Sequence, residues 1–495
     1  MGEAKKALGW SFALNWGQQG ISGILSFVLA SLLGPENYGI IALAYVFLFF
    51  FQIVGGQSFT ATLTQRADLR KIQINSVFWF TLFWGTGISF LAFLMGELWA
   101  DIYESEVLGD VIVWLSPLIL LGGLGIVPRG LLLRNMDFRS LAIVMFASVP
   151  IGGLVGIYMA FTGYGIWSLV AQQWIMVCIS LVVLWMRVDF RPQFVFSLSN
   201  LLDLSRFTRG VALSEFGGFA QSRIDAILMG VIFGPVAVGL YRISEKIVQL
   251  VTTMLSRSVA LFILPFASRH QNDQEKLKEV VKITLQICTS MTFPVMGAIA
   301  GASTIILEII GGEWRVAWVA LMILCGVGAI QSFTINTPQL LQGAGRASLS
   351  AVHSWGTAIV GGGVLLIVGY FSKGFDVETQ LGMVASARLG TYMFLTFPMS
   401  IFLMKKIANI RTAEFAMISF FPLLSGICAM GIGVLLSALT FVGDLHVLVK
   451  LIFVGGGAYL TGAALLLLLD KKLRSIIFQT LKPIIAKFSF TNDKE

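Results

Sequence analysis

The chain has 495 residues, of which 57% are hydrophobic and 12% charged, with a formal net charge of +8 and a mean hydropathy of +0.85. A soluble protein carries about twice that share of charge, so a soluble globular domain is excluded and an all-α polytopic membrane protein is predicted. Lipid-exposed backbone must satisfy its own hydrogen bonds, and the apolar runs lack the strict alternation of a barrel strand.

In chain order, helical spans are predicted near 10–33, 40–62, 77–98, 111–133, 141–161 and 165–187. Six more follow near 206–233, 239–266, 281–303, 316–342, 348–370 and 381–404, then two at 413–439 and 446–469, about fourteen in all. "MGEAKK" leads into a run of full spanning length without a short apolar core or cleavage site, so the first span is read as retained rather than as a signal peptide. Asn15, Gln18 or Gln19, Ser22 and Ser26 step along one face of that span. Gln52, Gln57 and Thr60 lie in the second span, Gln172 and Gln173 in the sixth, and "QSFTINTPQLLQ", with Gln331 and Asn336, in the tenth. Each amide alone reads as an interhelical hydrogen bond. Together they suit a sugar-accepting cavity, with Asn15, Gln19, Gln52, Gln331 and Asn336 as its candidate residues.

An internal repeat runs through these elements. "LLGPENYGIIAL" (32–43) follows the first span and "IFGPVAVGLYRI" (232–243) the seventh, so Gly34-Pro35 and Gly234-Pro235 are 200 residues apart. "FRSLA" (138–142) and "RASLS" (346–350) open corresponding later spans. Six spans separate the copies, which predicts two six-helix lobes of like orientation related by a pseudo-twofold along the membrane normal. The expected organisation is an N-terminal lobe at 1–190, an interfacial linker at 191–205, a C-terminal lobe at 206–404, and two extra spans with a basic tail at 405–495.

The charges inside spans are confined to the second lobe. They are the bases Arg223, Arg242, Lys246, Arg257 and Arg388 and the acids Glu215, Asp225 and Glu245. The "GPVAVG" turn makes the seventh and eighth spans a hairpin in which residue numbers at equal depth sum to about 472. Asp225 then faces the level of Lys246, Glu215 that of Arg257, and Arg223 that of the uncharged Gln249. Two ion pairs, Asp225–Lys246 and Glu215–Arg257, are therefore expected to clamp the hairpin. Arg242 has Glu245 one turn away, which leaves Arg223 and Arg388 with the least obvious partners. Unpaired bases at this depth line water-filled cavities and meet anions, and the planar guanidinium fork favours phosphate. Arg223, Arg388 and Arg242 are the candidate phosphate ligands.

Between the spans, about 26 of the 34 basic residues fall on one side if both termini are inside. That bias predicts cytoplasmic termini and accounts for the positive net charge without any nucleic-acid partner. Cys178, Cys288, Cys325 and Cys428 all lie in apolar runs with no metal or disulfide spacing. His270, His353 and His446 are scattered, no phosphate loop or metal cluster is present, and the loops are too short for a separate catalytic domain. An enzyme is not expected, and neither a metal nor a cofactor is called for.

These features carry a family resemblance. The motifs are "LLGPENYGIIALA", "LLLRNMDFRSLA" (131–142), "SRIDAILMGVIFGPVAVGLYRISEKIV" (222–248), "LPFASRHQNDQEKLKE" (264–279) and "GGEWRVAWVALMILCGVGAIQSF" (311–333). With them the chain resembles the Wzx-type polysaccharide flippases, most closely the WzxC-like branch, within the multidrug/oligosaccharidyl-lipid/polysaccharide exporter superfamily. The resemblance implies a two-lobed, V-shaped bundle that moves undecaprenyl-diphosphate-linked oligosaccharides across the bacterial cytoplasmic membrane by alternating access. It implies the lipid bilayer and a polysaccharide polymerase with its export complex as partners, and it carries Arg223 and Asp225 over on "SRID". A cation-coupled multidrug exporter of the same fold is the alternative. It would want acids in the cavity, whereas the span charges here sum to about +2.

Overall fold

Helix is the only regular structure among the described residues, as a chain that must bury its own peptide groups in lipid requires. The structure is a computed structural model. It describes the backbone of residues 2–66, 68–269, 273–343, 347–439, 446–470 and 474. Within these, the side chains of 2–9, 11–13, 15, 206, 207, 214, 256–269, 339, 342, 343, 347, 348, 350 and 351 lie outside the description. The basic tail beyond residue 470 lies outside the described residues but for Arg474.

Helix α1 (Gly2–Gln52) joins the first two predicted spans. The stretch Trp16–Gln57 alone has 42 residues, about 63 Å of helix at 1.5 Å per residue and twice the hydrocarbon core. Gly34 divides it, with φ 75° and ψ 171°, a combination open to glycine and closed to other residues. Pro35 restarts the helix, with no amide proton to lose there. A π-turn at Ile53–Gln57 ends α1 and passes to α2 (Phe59–Gln65). Then come α3 (Lys71–Ile102), α4 (Glu106–Leu115), α5 (Pro117–Arg134), α6 (Phe138–Phe161) and α7 (Trp167–Arg187).

The chain after α7 is extended rather than helical, and it is pinned to α3. Asn75 Oδ1 accepts from the Gln193 amide at 2.8 Å, Ser76 Oγ from the Ser197 amide at 2.9 Å, and Trp79 Nε1 donates to the Gln193 carbonyl at 2.8 Å. Helix α8 (Leu198–Phe233) starts earlier than the predicted span at 206, because Ser197 caps it and Leu201 and Leu204 pack with Phe59, Leu63 and Phe78. It ends at Gly234, with φ 82° and ψ 178°, the conformation of Gly34, and Pro235 opens α9 (Pro235–Arg269). The two copies of the repeat therefore make the same turn.

They also pack on each other. A Cβ added at Gly39 would overlap the Pro235 carbonyl, and one added at Gly239 would overlap the Pro35 carbonyl, with each glycine against the other's amide. The contact is reciprocal, backbone on backbone, and leaves no space for a side chain on either helix.

The chain continues through α10 (Gln274–Gly301), α11 (Ser303–Ile310), α12 (Trp318–Thr334), α13 (Thr337–Gly343), α14 (Ala347–Ser372), α15 (Val377–Thr391), α16 (Phe397–Ala408), α17 (Thr412–Ser437), α18 (Val447–Leu451) and α19 (Gly457–Leu469). Among the described residues, twelve helices are long and apolar enough to cross a membrane. The predicted fourteen count the two arms of α1 separately and include α9, which carries Arg242, Glu245 and Lys246 and is not among the twelve.

Two compact units emerge. One comprises 1–250, 310–320 and 351–391, and the other 251–309, 321–350 and 392–495. In the second, Leu285, Phe293, Phe333, Leu341, Leu403 and Phe415 form a buried core, with Phe293 edge-on to Phe333 at 5.6 Å. At one end of that unit the Glu414 carboxylate takes Lys282 at 2.7 Å and Lys278 at 3.4 Å.

Candidate functional site

The unit of residues 1–250, 310–320 and 351–391 encloses a cavity of about 290 Å³. Its two sides differ in chemistry. Helices α1 and α7 present neutral groups: Ser22, Ser26, Tyr38 and Tyr45, with Gln172 and Gln173. Leu25, Leu29, Val149 and Met176 fill the space between them. Helices α8 and α9 present charge: Arg223 from α8, and Arg242, Glu245, Lys246 and Gln249 from α9. The α9 residues recur at three- and four-residue steps, which places them on one helix face.

The charged side is a network with spare donors. Arg242 Nη1 pairs with Glu245 Oε2, while Arg242 Nη2 is buried and has no hydrogen-bond partner among the described residues. Glu245 Oε1 accepts from Gln249 Nε2 and from Arg388 Nη2, both at 2.9 Å. Arg388, brought in by α15, pairs through Nη1 with Asp225 and reaches Tyr241 Oη at 3.3 Å. Asp225 and Arg388 thus form a layer behind the cavity wall. Among the described residues, neither Arg223 nor Lys246 has an ion-pair partner within 4.0 Å. Among the described residues, four bases against two acids leave the site with two positive charges and at least three unengaged donor groups.

That arrangement is chemically specific. A bare cation at membrane depth costs a few kcal/mol or more, and the cost falls when an anion with several oxygens arrives. The facing amides, hydroxyls and phenols supply the neutral donors and acceptors that a polyhydroxylated group needs. The sequence profile of the family described as "Polysaccharide biosynthesis protein" matches residues 28–319. The chain belongs to this family.

Among its relatives, the chain is 27% identical to the succinoglycan biosynthesis transport protein ExoT of Rhizobium meliloti (strain 1021), over 69% of each chain. It is 24% identical to the teichuronic acid biosynthesis protein TuaB of Bacillus subtilis (strain 168), over 65% of each. Identity to the lipopolysaccharide biosynthesis protein WzxC of Escherichia coli (strain K12) is 19%, over 67% of this chain and 68% of that one. The fold is shared with the lipid II flippase MurJ in an inward closed conformation, at a TM-score of 0.67 and 13% identity, covering 96% of this chain and 99% of that one. An inward-facing multidrug resistance MATE family transporter of the MOP superfamily matches at a TM-score of 0.64 and 14% identity, over 80% and 96%. The protein is an all-α polytopic membrane protein of this architecture.

Within this family member, the structure brings Arg223, Arg242 and Lys246 together on the cavity wall, with Asp225 and Arg388 behind it. One expected pair is corrected. Asp225 binds Arg388, not Lys246, because matched depth on a hairpin fixes only the level of a residue, and the azimuth of Asp225 turns it toward α15. Lys246 faces the cavity instead. Arg388 likewise has two acids, where sequence left it without an obvious partner. Glu215 takes the Ser58 hydroxyl, and the side chain of Arg257 lies outside the described residues, as does that of Asn15.

The remaining amides are not on this cavity's lining. Gln19 and Gln52 are half-buried elsewhere along α1. Gln331 and Asn336 belong to the other unit, where Gln331 Nε2 donates to Tyr392 Oη at 3.1 Å and Asn336 Nδ2 approaches Cys288 Sγ at 3.5 Å. Sequence reading missed Tyr38 and Tyr45. Their seven-residue spacing puts them on one face of the second arm of α1, a signal that was available. Tyr38 also meets the buried Trp314 edge-on, with ring centroids 5.8 Å apart.

The corrected pairing has a measurable consequence. Arg388→Ala or Asp225→Ala strands a buried charge and is expected to cost about 3–5 kcal/mol. Removing both should cost less than the sum, and a thermal-unfolding double-mutant cycle in detergent reads the coupling. The Asp225→Ala/Lys246→Ala cycle should be additive. Coupling in the second cycle but not the first would restore the hairpin clamp.

Proposed function

We propose that the chain is a flippase. It carries undecaprenyl-diphosphate-linked oligosaccharide repeat units from the inner to the outer leaflet of the bacterial cytoplasmic membrane, for surface polysaccharide biosynthesis, and it performs no covalent chemistry. The observation that carries this reading is the two-sided cavity, with unengaged cations on α8 and α9 facing neutral polar groups on α1 and α7. The diphosphate meets Arg223, Lys246 and the free Nη2 of Arg242. The first sugar meets Gln172, Gln173, Ser22 and Ser26, and the polyprenyl chain stays in lipid. Arg388 supports the site from behind, through Asp225 and Glu245. The family, and relatives named for succinoglycan biosynthesis transport and lipopolysaccharide biosynthesis, support a role in polysaccharide biosynthesis.

Alternating access between two lobes, 1–190 and 206–404, is the mode of transport proposed. The reciprocal contact at Gly39 and Gly239 is a side-chain-free crossing of the kind that two surfaces parting and closing would use. Both termini face the cytoplasm, and a polysaccharide polymerase with its export complex receives the product. A cation-coupled multidrug exporter is disfavoured, because four bases against two acids repel a cationic drug.

Depletion of the protein in its host is the test. Lipid-linked repeat units should accumulate in the cytoplasmic membrane, protected from a glycosidase added to spheroplasts, while surface polysaccharide falls and drug susceptibility stays constant. Normal surface polysaccharide with a changed drug-susceptibility profile would favour the exporter instead.

A further inference from the structure

We infer that Glu245 and Asp225 set the free charge of the cavity at two, so that it selects a carrier with two ionised phosphates over one with a single phosphate, and that Glu245 is the residue that keeps this carrier releasable. The inference rests on the reading of the cavity as a lipid-diphosphate site and adds to it a charge rule and a positioning residue.

The geometry argues for this as follows. Both acids are satisfied without any ligand. Asp225 takes Arg388 and, through Oδ1, the Ala226 amide at 2.9 Å. Glu245 takes Arg242, Arg388 and Gln249. Their side chains are 6% and 5% exposed, so neither is a loose counter-ion that water or substrate displaces readily. They cancel two of the four bases in place. What remains for a ligand is two whole charges, on Arg223 and Lys246, with one spare N–H group on Arg242.

A diphosphate esterified at both ends carries two ionised oxygens at neutral pH, and a phosphodiester carries one. Two against two is neutral in a medium where each unmatched charge is costly. One against two leaves a cation bare. At an effective dielectric near 20, a unit charge about 7 Å away changes affinity on the order of tenfold or more. The same count governs release. A third free cation would hold the dianion too tightly for a cycle that must let it go, and Glu245 lines the cavity at the point where it neutralises one.

The test uses the purified full-length protein and two water-soluble probes: a ten-carbon prenyl chain joined to a hexose through a diphosphate, and the same pair joined through a single phosphate. The wild type should prefer the diphosphate probe by about tenfold or more. Glu245→Gln, which removes one negative charge with little change in shape, should tighten that probe by about tenfold and slow transport, so that KM and kcat fall together. Gln249→Lys keeps a donor to Glu245 and adds a positive charge, and it should move both quantities in the same direction. It decides the matter if Glu245→Gln does not fold. A residue serving structure alone would not tighten binding. Equal affinity of the wild type for the two probes, or unchanged or weaker binding of the diphosphate probe in both variants, overturns the inference and leaves the flippase reading standing. If the wild type binds neither probe, the reading and the inference fall together.

Discussion

Arg223→Ala is expected to abolish surface polysaccharide in a flippase-deficient strain while the protein accumulates normally in the membrane. The guanidinium lines the cavity and has no ion-pair partner among the described residues, so its removal breaks no pair. It also relieves the cost of holding a bare cation at membrane depth, and the thermal midpoint in detergent should hold or rise. Arg223→Lys keeps the charge and loses the two-pronged fork, so partial export is expected. Lys246→Ala should lower export less severely, because a single ammonium makes fewer directed bonds than a guanidinium. Normal export by the alanine protein at normal abundance would move the phosphate contact to Lys246 and Arg242.

Gly39→Ala is expected to fail for the opposite reason. Here nothing chemical is lost, but one methyl group must enter a contact already made by two backbones. The added Cβ would overlap the Pro235 carbonyl, and the obstacle is main chain that cannot swing aside as a side chain would. Overpacking of this kind costs about 1–3 kcal/mol, and the helices relieve it only by parting. Gly239→Ala should behave alike, since its Cβ would overlap the Pro35 carbonyl. Gly20→Ala, in the same helix as Gly39 with nothing within 4 Å of the added atom, is the control and should stabilise slightly through helix propensity. The readouts are thermal unfolding in detergent and export in cells. A Gly39→Ala protein indistinguishable from the Gly20→Ala protein in both would mean that the helices do not meet there.

Much of this was legible in sequence because membrane folding leaves few options. Apolar run length fixes helices, and the Gly-Pro repeat fixes two turns that share one pair of dihedral angles. Charge counting singled out Arg223 and Arg242, which do line the cavity, but it set Arg388 beside them and gave Lys246 to Asp225, where the structure has these two bases the other way round. What sequence concealed was the third dimension. The partner of Asp225 comes from Arg388, 163 residues away, and hairpin arithmetic is silent about a helix outside the hairpin. The amides Gln331 and Asn336 had the right chemistry, but periodicity does not say which helix a polar face will meet. The early start of α8 followed from an N-cap at Ser197 and from leucines that pack on the first half, and neither was separable by sequence from an interfacial linker.

The repeat also orders events in time. Gly39 waits for a partner that is made 200 residues later, about 10–40 s at ordinary rates of synthesis. During that interval the first half resides in the bilayer with its side of the cavity uncovered. Serines, glutamines and tyrosines tolerate such exposure, since water or a neighbouring carbonyl satisfies them at modest cost. Buried arginines would not tolerate it. The chain places every charged group of the cavity lining on α8 and α9, which the ribosome delivers after α1 and α7, when a polar surface already stands in the membrane to receive it.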